Sequence, residues 1–362
     1  MRALSGADIA PRPIAVPSTD ALPLIVQSQG ARIAKEGETL RITEVDGQES
    51  RVRLGDVSDL ALFGNVTVTT PALSAMMERE IPITFLSNSG WFKGMAQGIG
   101  HRNVEVRTAQ YRASFDPAMC LRFARELVRA KVTNQRTMLR RNWQDDPDQK
   151  ANALGRLAAI RRSALRVQSM DQLLGLEGEA AAVYFRGFAA LLRPPPDKSG
   201  DGDLAKAFRF DSRNRRPPAD PVNAMLSLAY AMLARHLTIA LASVGLDPFR
   251  GLYHQPRFGR PSLALDLMEP FRPLIADSVV LSVVNTGQIS ARDFIMAATG
   301  TALTQAGRRR FVQAFERRLS QETTHPVLGY RLSMRRLLIL QARLLSRFLL
   351  GEIPAYPHYL PR

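Results

Sequence analysis

Residues 116–141 read DPAMCLRFARELVRAKVTNQRTMLRR, and they mark the point where a β-type pattern gives way to a helical one. Asp116 stands directly before Pro117. An aspartate here accepts hydrogen bonds from the free amides of a first turn, and proline fits the first helical position because it has no N–H to satisfy. The pair therefore predicts a helix from Pro117 to about Arg141.

The segment before this helix has the pattern of β-strands. Residues 31–42 alternate apolar and polar side chains around a turn, and residues 81–86 form an apolar run of strand length. Thr70-Pro71 predicts one short helix among the strands. We expect a β domain over residues 22–108, preceded by a proline-rich lead-in over residues 1–21.

The segment after residue 141 is helical by the same signals. Asp220-Pro221 predicts a helix start, and Gly245 predicts the end of that helix. Further helices are predicted from about 151 to 192 and over 262–277, 291–321 and 330–351. The predicted class is therefore α+β, with the N-terminal β domain followed by a larger all-α domain over residues 109–362.

The charge of the chain favours a polyanionic partner. The formal net charge is +16, from 49 Lys and Arg against 33 Asp and Glu, and basic side chains bind phosphates with release of counterions. The simpler alternative is charge that only keeps the protein soluble. A lone cysteine, Cys120, excludes an internal disulfide and a Cys-rich zinc site. Residues 1–20 lack a signal-peptide core, and no uncharged apolar run reaches about 20 residues. We expect a cytoplasmic protein without membrane association.

Residues 251–273, GLYHQPRFGRPSLALDLMEPFRP, contain the candidate chemistry. Asp266 and Glu269 stand three residues apart on a predicted helix, so they share a face among leucines. Buried acids need a cation or an arginine, and Arg272 could form an ion pair with Glu269 instead of leaving it to bind a metal. His254 precedes them in a loop, where a hydrogen-bonded loop histidine is the alternative to a ligand.

A metal site needs a third acid, and Glu177 is the candidate. Gly175 and Gly178 flank it within a helical pattern, which would allow the close approach of a ligand or of another helix. Glu179 is the alternative acid. One histidine with two carboxylates is a hard ligand set that suits Mg²⁺ or Mn²⁺, and such an ion can polarise a phosphodiester.

Basic segments surround these residues in the sequence. Residues 208–218, FRFDSRNRRPP, interleave aromatic and basic side chains, and arginine forks bind phosphates in pairs of hydrogen bonds. A flexible charged loop is the alternative interpretation. The candidate DNA-binding residues are Arg213, Arg215, Arg216, Arg257, Arg260 and Arg272.

Several stretches together resemble the Cas-one family of CRISPR-associated spacer integrases. They include residues 131–141, residues 175–185, the run RRPPADPVNA at 215–224, and GLYH at 251–254. LDLMEPFR at 265–272 completes the set, and the motifs occur in the family's order over roughly residues 22–362.

The resemblance implies a β-sandwich-like N-terminal domain that forms a homodimer, and a helical catalytic domain. It implies Glu177, His254 and Glu269 as metal ligands, and Asp266 as a further catalytic acid close to the metal. It also implies double-stranded DNA as substrate and the small Cas-two protein as partner. Some family members carry a fused Cas-four-type nuclease ahead of this region, so the short lead-in predicts such a nuclease as a separate partner.

Two other functions compete with the integrase. In a non-catalytic DNA-binding scaffold, Asp266, Glu269 and Arg272 would form only a salt-bridge network, and DNA binding would depend on salt and not on metal. In an unrelated metal-dependent RNase, single-stranded RNA would be cleaved as well as or better than branched DNA.

Overall fold

The computed structural model describes residues 21–88, 90, 92–98, 103–196, 204–214, 217–297 and 300–361. The N-terminal part is built from eight strands and one helix. They are β1 (Leu22–Val26), β2 (Arg32–Glu36), β3 (Thr39–Thr43), β4 (Glu49–Arg53), β5 (Val57–Phe63), β6 (Thr67–Val68), α1 (Thr70–Glu78), β7 (Ile83–Leu86) and β8 (Phe92–Ala96).

These strands form two four-stranded sheets, ordered β1-β5-β7-β8 and β4-β3-β2-β6. Strands β1, β5 and β7 are parallel, whereas β2, β3 and β4 form an antiparallel meander. Ile33 and Leu40 from one sheet, Leu60 and Ile83 from the other, and Met76 from α1 all have 0% exposure and belong to one core. The sandwich-like domain and the short helix after Thr69 are confirmed.

The remainder of the described chain is mainly helical. Its helices are α2 (Val104–Phe115), α3 (Pro117–Asn142), α4 (Pro147–Ala164), α5 (Met170–Ala189), α6 (Leu204–Ala207), α7 (Pro221–Ser243), α8 (Ser262–Met268), α9 (Ser278–Asn285), α10 (Gln305–Ser320) and α11 (Met334–Leu349). Asp116 accepts hydrogen bonds from the first amides of α3, and Asp220 does so for α7. Both predicted helix starts are therefore confirmed. The proposed boundary at residue 108 falls inside α2.

The expectation of an all-α second domain needs a correction. It contains two antiparallel hairpins, β9 (Phe294–Ala297) with β10 (Gly300–Leu303), and β11 (Glu322–Thr324) with β12 (Arg331–Ser333). Short apolar runs carry no period that separates strand from helix. The strand conformation of β10 is stabilised from outside the hairpin, because the Thr301 amide donates to the Pro218 carbonyl at 2.8 Å.

Three helix predictions were also wrong in extent. In the predicted helix over 291–321, β9 and β10 occupy the first part and α10 begins only at Gln305. The predicted helix from about 151 to 192 is two helices, because the Ser169 hydroxyl caps the start of α5. The predicted helix over 262–277 instead continues to Asn285 through irregular turns. A 3₁₀ turn and a π-type turn separate α8 from α9, since Pro270 and Pro273 have no N–H for a regular ladder.

Helix α7 is the central element of the helical core. It is long and apolar enough to span a membrane, but 72% of its apolar window is buried within the protein, as expected of a core helix. Arg235 on α7 also joins the two parts of the molecule. Its Nε donates to Thr84 Oγ1 at 2.6 Å, and its guanidinium pairs with the buried Asp59 carboxylate. Burial alone would raise the pKa of Asp59, but Arg235 lowers it below its ordinary value.

Asp277 is a buried acid between α5 and α7. The Tyr184 hydroxyl donates to one of its oxygens at 2.7 Å, and the Tyr230 hydroxyl donates to the other at 2.6 Å. Tyr184, which is fully buried, is therefore a structural residue of the core. Burial raises the pKa of Asp277 from 3.8 to about 6, against the lowering effect of the two hydroxyl groups.

This shift predicts a pH-dependent stability. Because the folded state binds the Asp277 proton more tightly than the unfolded state, this residue should reduce the free energy of unfolding by about 3 kcal/mol as pH rises from about 4 to about 6. Asp277→Asn should lack that loss, which urea unfolding at a series of pH values would measure. Asp59→Asn is the control, because a lowered pKa places the titration of Asp59 below this window. Equal pH slopes for Asp277→Asn and the unchanged protein would contradict the assignment.

Candidate metal and DNA site

The site is built on the loop that precedes α8, and the Asp266 carboxylate holds this loop in place by hydrogen bonds. Asp266 is 0% exposed. One of its oxygens accepts hydrogen bonds from the backbone amides of Leu252 at 2.7 Å and Tyr253 at 3.0 Å. The other accepts from the His254 amide at 2.7 Å. Gly251 fits beside this cradle because a Cβ there would lie 2.6 Å from the His254 carbonyl oxygen.

The same aspartate also fixes the His254 ring. His254 Nδ1 lies 2.7 Å from Asp266 Oδ1, and a hydrogen bond donated by Nδ1–H to this carboxylate oxygen would leave the Nε2 lone pair on the opposite side of the ring. Nε2 faces Glu269, whose Oε1 is 3.8 Å away. Asp266 and Glu269 therefore flank the two nitrogens of one imidazole. Asp266 acts from behind the ring, as a positioning residue.

Glu269 lies in the 3₁₀ turn and is 2% exposed. Arg272 Nη2 lies 2.9 Å from its Oε1, and Lys131 Nζ lies 2.6 Å from its Oε2. Burial by itself would raise the pKa of Glu269, but Arg272 and Lys131 lower it to about 2. Glu269 is therefore a carboxylate held in its charged form inside an apolar helix.

Glu177 reaches the same place from α5. Its Oε1 contacts the Lys131 ammonium, and its Oε2 accepts a hydrogen bond from the Tyr253 hydroxyl at 2.9 Å. Burial, together with the Glu177 carboxylate, raises the pKa of Tyr253, so the hydroxyl remains a donor. A Cβ built on Gly175 or Gly178 would meet no atom within 4 Å. The two glycines thus leave open space beside Glu177 and are not required for helix packing.

Two of the three predicted ligands, Glu177 and Glu269, therefore contact one lysine, and the third, His254, lies beside Glu269. Glu177, His254 and Glu269 come from α5, the loop before α8 and the 3₁₀ turn after it, and Lys131 on α3 bridges the two acids. Within the described ranges, no three His, Cys, Asp or Glu side chains lie close enough together to hold a metal ion. The ligand set remains a prediction, and the cation between the acids here is the lysine ammonium.

Sequence reasoning missed Lys131 and Tyr253 as parts of the site. A signal for Lys131 was present, because it lies four residues after the buried Leu127 and between buried neighbours on α3. A lysine within an apolar helical face requires an acidic partner. Nothing in the sequence pointed to the Tyr253 hydroxyl, since its partner lies on another helix.

The structure separates the candidate DNA-binding arginines into groups. Arg272 forms the ion pair with Glu269, and its guanidinium lies 4.6 Å from the centre of the Tyr230 ring. Its side chain is only 17% exposed, so the ion-pair alternative describes it better than DNA contact. Arg213 Nη1 donates to Asn223 Oδ1 at 2.7 Å and is also half-buried.

For two of the other four candidates, Arg257 and Arg260, DNA binding stays a prediction. The remaining two cannot be placed. Arg257 is exposed and Arg260 is half-buried, both in the loop that carries His254. Arg215 and Arg216 lie outside the described residues.

Comparison with known proteins identifies the family. Residues 24–317 match the family described as CRISPR associated protein Cas1. A CRISPR-associated exonuclease Cas4/endonuclease Cas1 fusion from Geobacter sulfurreducens is 53% identical over the whole chain, which spans 64% of that relative's length. A CRISPR-associated endonuclease Cas1 from Thermus thermophilus is 38% identical over 92% of this chain and 95% of its own.

The fold agrees with this result. The structure of a casposase bound to integration product superposes with a TM-score of 0.78 over 93% of this chain and 94% of its own, at 23% identity. At that identity the likeness shows the fold alone. The family match and the Thermus relative cover most of the chain, and the chain therefore belongs to the Cas1 family of CRISPR-associated proteins.

The role of Asp266 can be tested through stability. Asp266→Asn would place an amide NH₂ among four donors, and each buried donor left unpaired costs about 1–3 kcal/mol. We expect the free energy of unfolding to fall by about 2–4 kcal/mol in urea titrations. Asp211→Asn is the control, because Asp211 is exposed and pairs only with the exposed Arg209. Equal stability of the two variants would show that Asp266 does not hold the loop.

Proposed function

We propose that this protein is a metal-dependent DNA endonuclease and integrase that inserts new spacer DNA into a CRISPR array. The observation that carries the proposal is that Glu177 and Glu269, from separate segments, both contact the buried Lys131, with His254 Nε2 3.8 Å from Glu269 Oε1. Membership of the Cas1 family supports it, as does the word endonuclease in the names of both sequence relatives. The net charge of +16 supports a nucleic-acid substrate.

The residues fit a divalent cation by their chemistry. Glu269 Oε2 is a buried acceptor without a regularly aligned hydrogen bond among the described residues, although the Lys131 ammonium is close. With the carboxylate of Glu177 and the imidazole of His254, it makes a mixed oxygen and nitrogen set that suits Mg²⁺ or Mn²⁺. When bound, such an ion would supply charge neutralisation at the reacting phosphate.

The reaction is a phosphodiester exchange. The 3′-hydroxyl oxygen of the incoming DNA forms a bond to phosphorus at the edge of a repeat, and the bond from that phosphorus to the repeat's own 3′ oxygen breaks. One phosphodiester is formed for each one lost, and the attacking hydroxyl gives up a proton while the displaced oxygen gains one. Attack by water instead would give endonuclease activity.

The side chains of this site would position the reactants. Asp266 holds His254 so that Nε2 faces Glu269, and the Tyr253 hydroxyl orients the Glu177 carboxylate. Arg257, exposed on the same loop, would contact the DNA backbone and set its position without reading its sequence. Fixed orientation of this kind lowers the entropic part of the barrier.

The expected partners follow from the family. We infer a homodimer through the N-terminal β domain and a complex with a small Cas2-type protein. A Cas4-type nuclease is the third expected partner, in keeping with the name of the Geobacter relative, in which Cas4 and Cas1 are one fusion. The molar mass of the isolated protein in solution would test the homodimer. A pull-down with each tagged partner would test the other two associations separately.

Joining of a labelled DNA fragment to a repeat-containing duplex tests the catalytic assignment. Glu177→Gln and His254→Ala should each lower the joining rate about 10²-fold or more with Mg²⁺ or Mn²⁺, and a chelator should abolish joining by the unchanged protein. Glu179→Gln is the matched control. Glu179 stands two residues away on α5, is exposed and pairs with Arg156 at 2.9 Å, so its replacement should leave the rate unchanged.

The scaffold alternative has one observation in its favour, which is that Lys131 and Arg272 already neutralise Glu177 and Glu269. It predicts DNA binding that weakens with salt, no metal requirement and no product in the joining assay. If Glu177→Gln or His254→Ala joined DNA at the full rate, the replaced residue would not be catalytic. Better cleavage of single-stranded RNA than of branched DNA would favour an RNase.

A further inference from the structure

Lys131 is a buried cation placed between two acids. It lies in the middle of α3, and its side chain is 7% exposed. The ammonium contacts Glu177 Oε1, and it lies 2.6 Å from Glu269 Oε2. Lys131 therefore has a different environment from an exposed surface lysine such as Lys35.

The charges of this cluster already balance. Glu177 and Glu269 contribute two negative charges, and Lys131 and Arg272 contribute two positive charges. A buried ion pair is stable only when each charge has its partner. A divalent cation that joined the two carboxylates without any other change would add two positive charges to these balanced pairs, only one of which the nearby Asp266 carboxylate could offset, and a net charge in a largely buried place is unfavourable.

The ammonium and a divalent ion would also need the same oxygen atoms. Lys131 uses Glu177 Oε1 and Glu269 Oε2, one oxygen from each acid, and Tyr253 and Arg272 use the remaining two. A metal held by both acids therefore has to share or replace the lysine's contacts. DNA phosphates, each with one negative charge, would restore the charge balance if they arrived together with the metal.

We propose that Lys131 competes with the metal for the same carboxylate oxygens. Lys131 forms ion pairs with Glu177 and Glu269 in the DNA-free protein, and these ion pairs break when metal and DNA phosphate bind together. The inference rests on the proposed function, because it takes Glu177 and Glu269 to be metal ligands. It assigns Lys131 a positioning role and makes metal binding and DNA binding mutually dependent, since each ligand of a coupled pair changes the affinity of the other by the same factor.

Removal of the lysine charge should tighten metal binding in the absence of DNA. We expect Lys131→Gln, which keeps a hydrogen-bond donor, and Lys131→Met, which keeps only the apolar stem, to bind Mn²⁺ roughly tenfold or more tightly than the unchanged protein. Titration of DNA-free protein with Mn²⁺, followed by the electron paramagnetic resonance signal of the free ion, measures this directly. A purely structural lysine would give the opposite result, because its loss would weaken the site.

Thermal unfolding gives a second readout that does not depend on activity. Because Lys131→Met leaves Glu177 without its cation, Mn²⁺ should raise its melting temperature more than it raises that of the unchanged protein. Lys150→Met is the matched control. Lys150 is half-buried, and its Nζ donates to the Trp143 carbonyl oxygen at 2.5 Å, so the same chemical change there should alter neither the Mn²⁺ affinity nor the shift.

The outcomes separate this inference from the proposed function. Unchanged or weaker Mn²⁺ binding by folded Lys131→Gln overturns the competitor role, even if the joining assay shows a metal-dependent integrase. Metal-independent joining overturns the proposed function by itself. If Lys131→Met is unfolded without metal, recovery of its native circular dichroism on addition of Mn²⁺ supports the inference, and failure to recover contradicts it.

Discussion

The structure of the site depends on the cost of burying carboxylates in an apolar helix. Asp266, Glu269 and Asp277 follow one another along residues 262–285, and none is more than 2% exposed. A buried charge without partners is strongly unfavourable, so each acid draws donors from elsewhere in the chain. Asp266 accepts hydrogen bonds from the loop before α8, and Glu269 forms an ion pair with α3. Asp277 accepts hydrogen bonds from tyrosines on α5 and α7. The acids thereby join the segments that form the site.

The irregular helix distributes these acids over different directions. A regular helix would place residues 266 and 269 on one face, both open to the same partner. The prolines at positions 270 and 273 instead impose a 3₁₀ turn and a π-type turn. As a result Asp266 meets one nitrogen of His254 while Glu269 faces the other. The imidazole is thus held at Nδ1 by Asp266, and its Nε2 faces Glu269.

The balance of charge around Lys131 links this local arrangement to the chain as a whole. The protein is strongly basic, yet in its candidate site the charges of Lys131 and Arg272 are matched by those of Glu177 and Glu269. Charge–charge interactions are stronger in a buried cluster than at the surface, so the arrival of a cation there is coupled to the arrival of anions. Phosphates of a nucleic acid are the anions that a basic surface concentrates. The same physics that stabilises the resting protein therefore favours metal and DNA together over metal alone.

The sequence by itself determined the local features of this protein. Asp116-Pro117 and Asp220-Pro221 predicted their helices because capping is a short-range interaction, and alternation predicted the β domain. The run of motifs predicted the family, and with it Glu177, His254 and Glu269. The tertiary structure decided what depends on contacts between distant residues. It revealed the two hairpins in the helical domain, the inward orientation of Arg272, and the approach of Lys131 and Tyr253 to acids on other segments. Spacing along a chain specifies which residues share a helical face, but only packing specifies which faces meet.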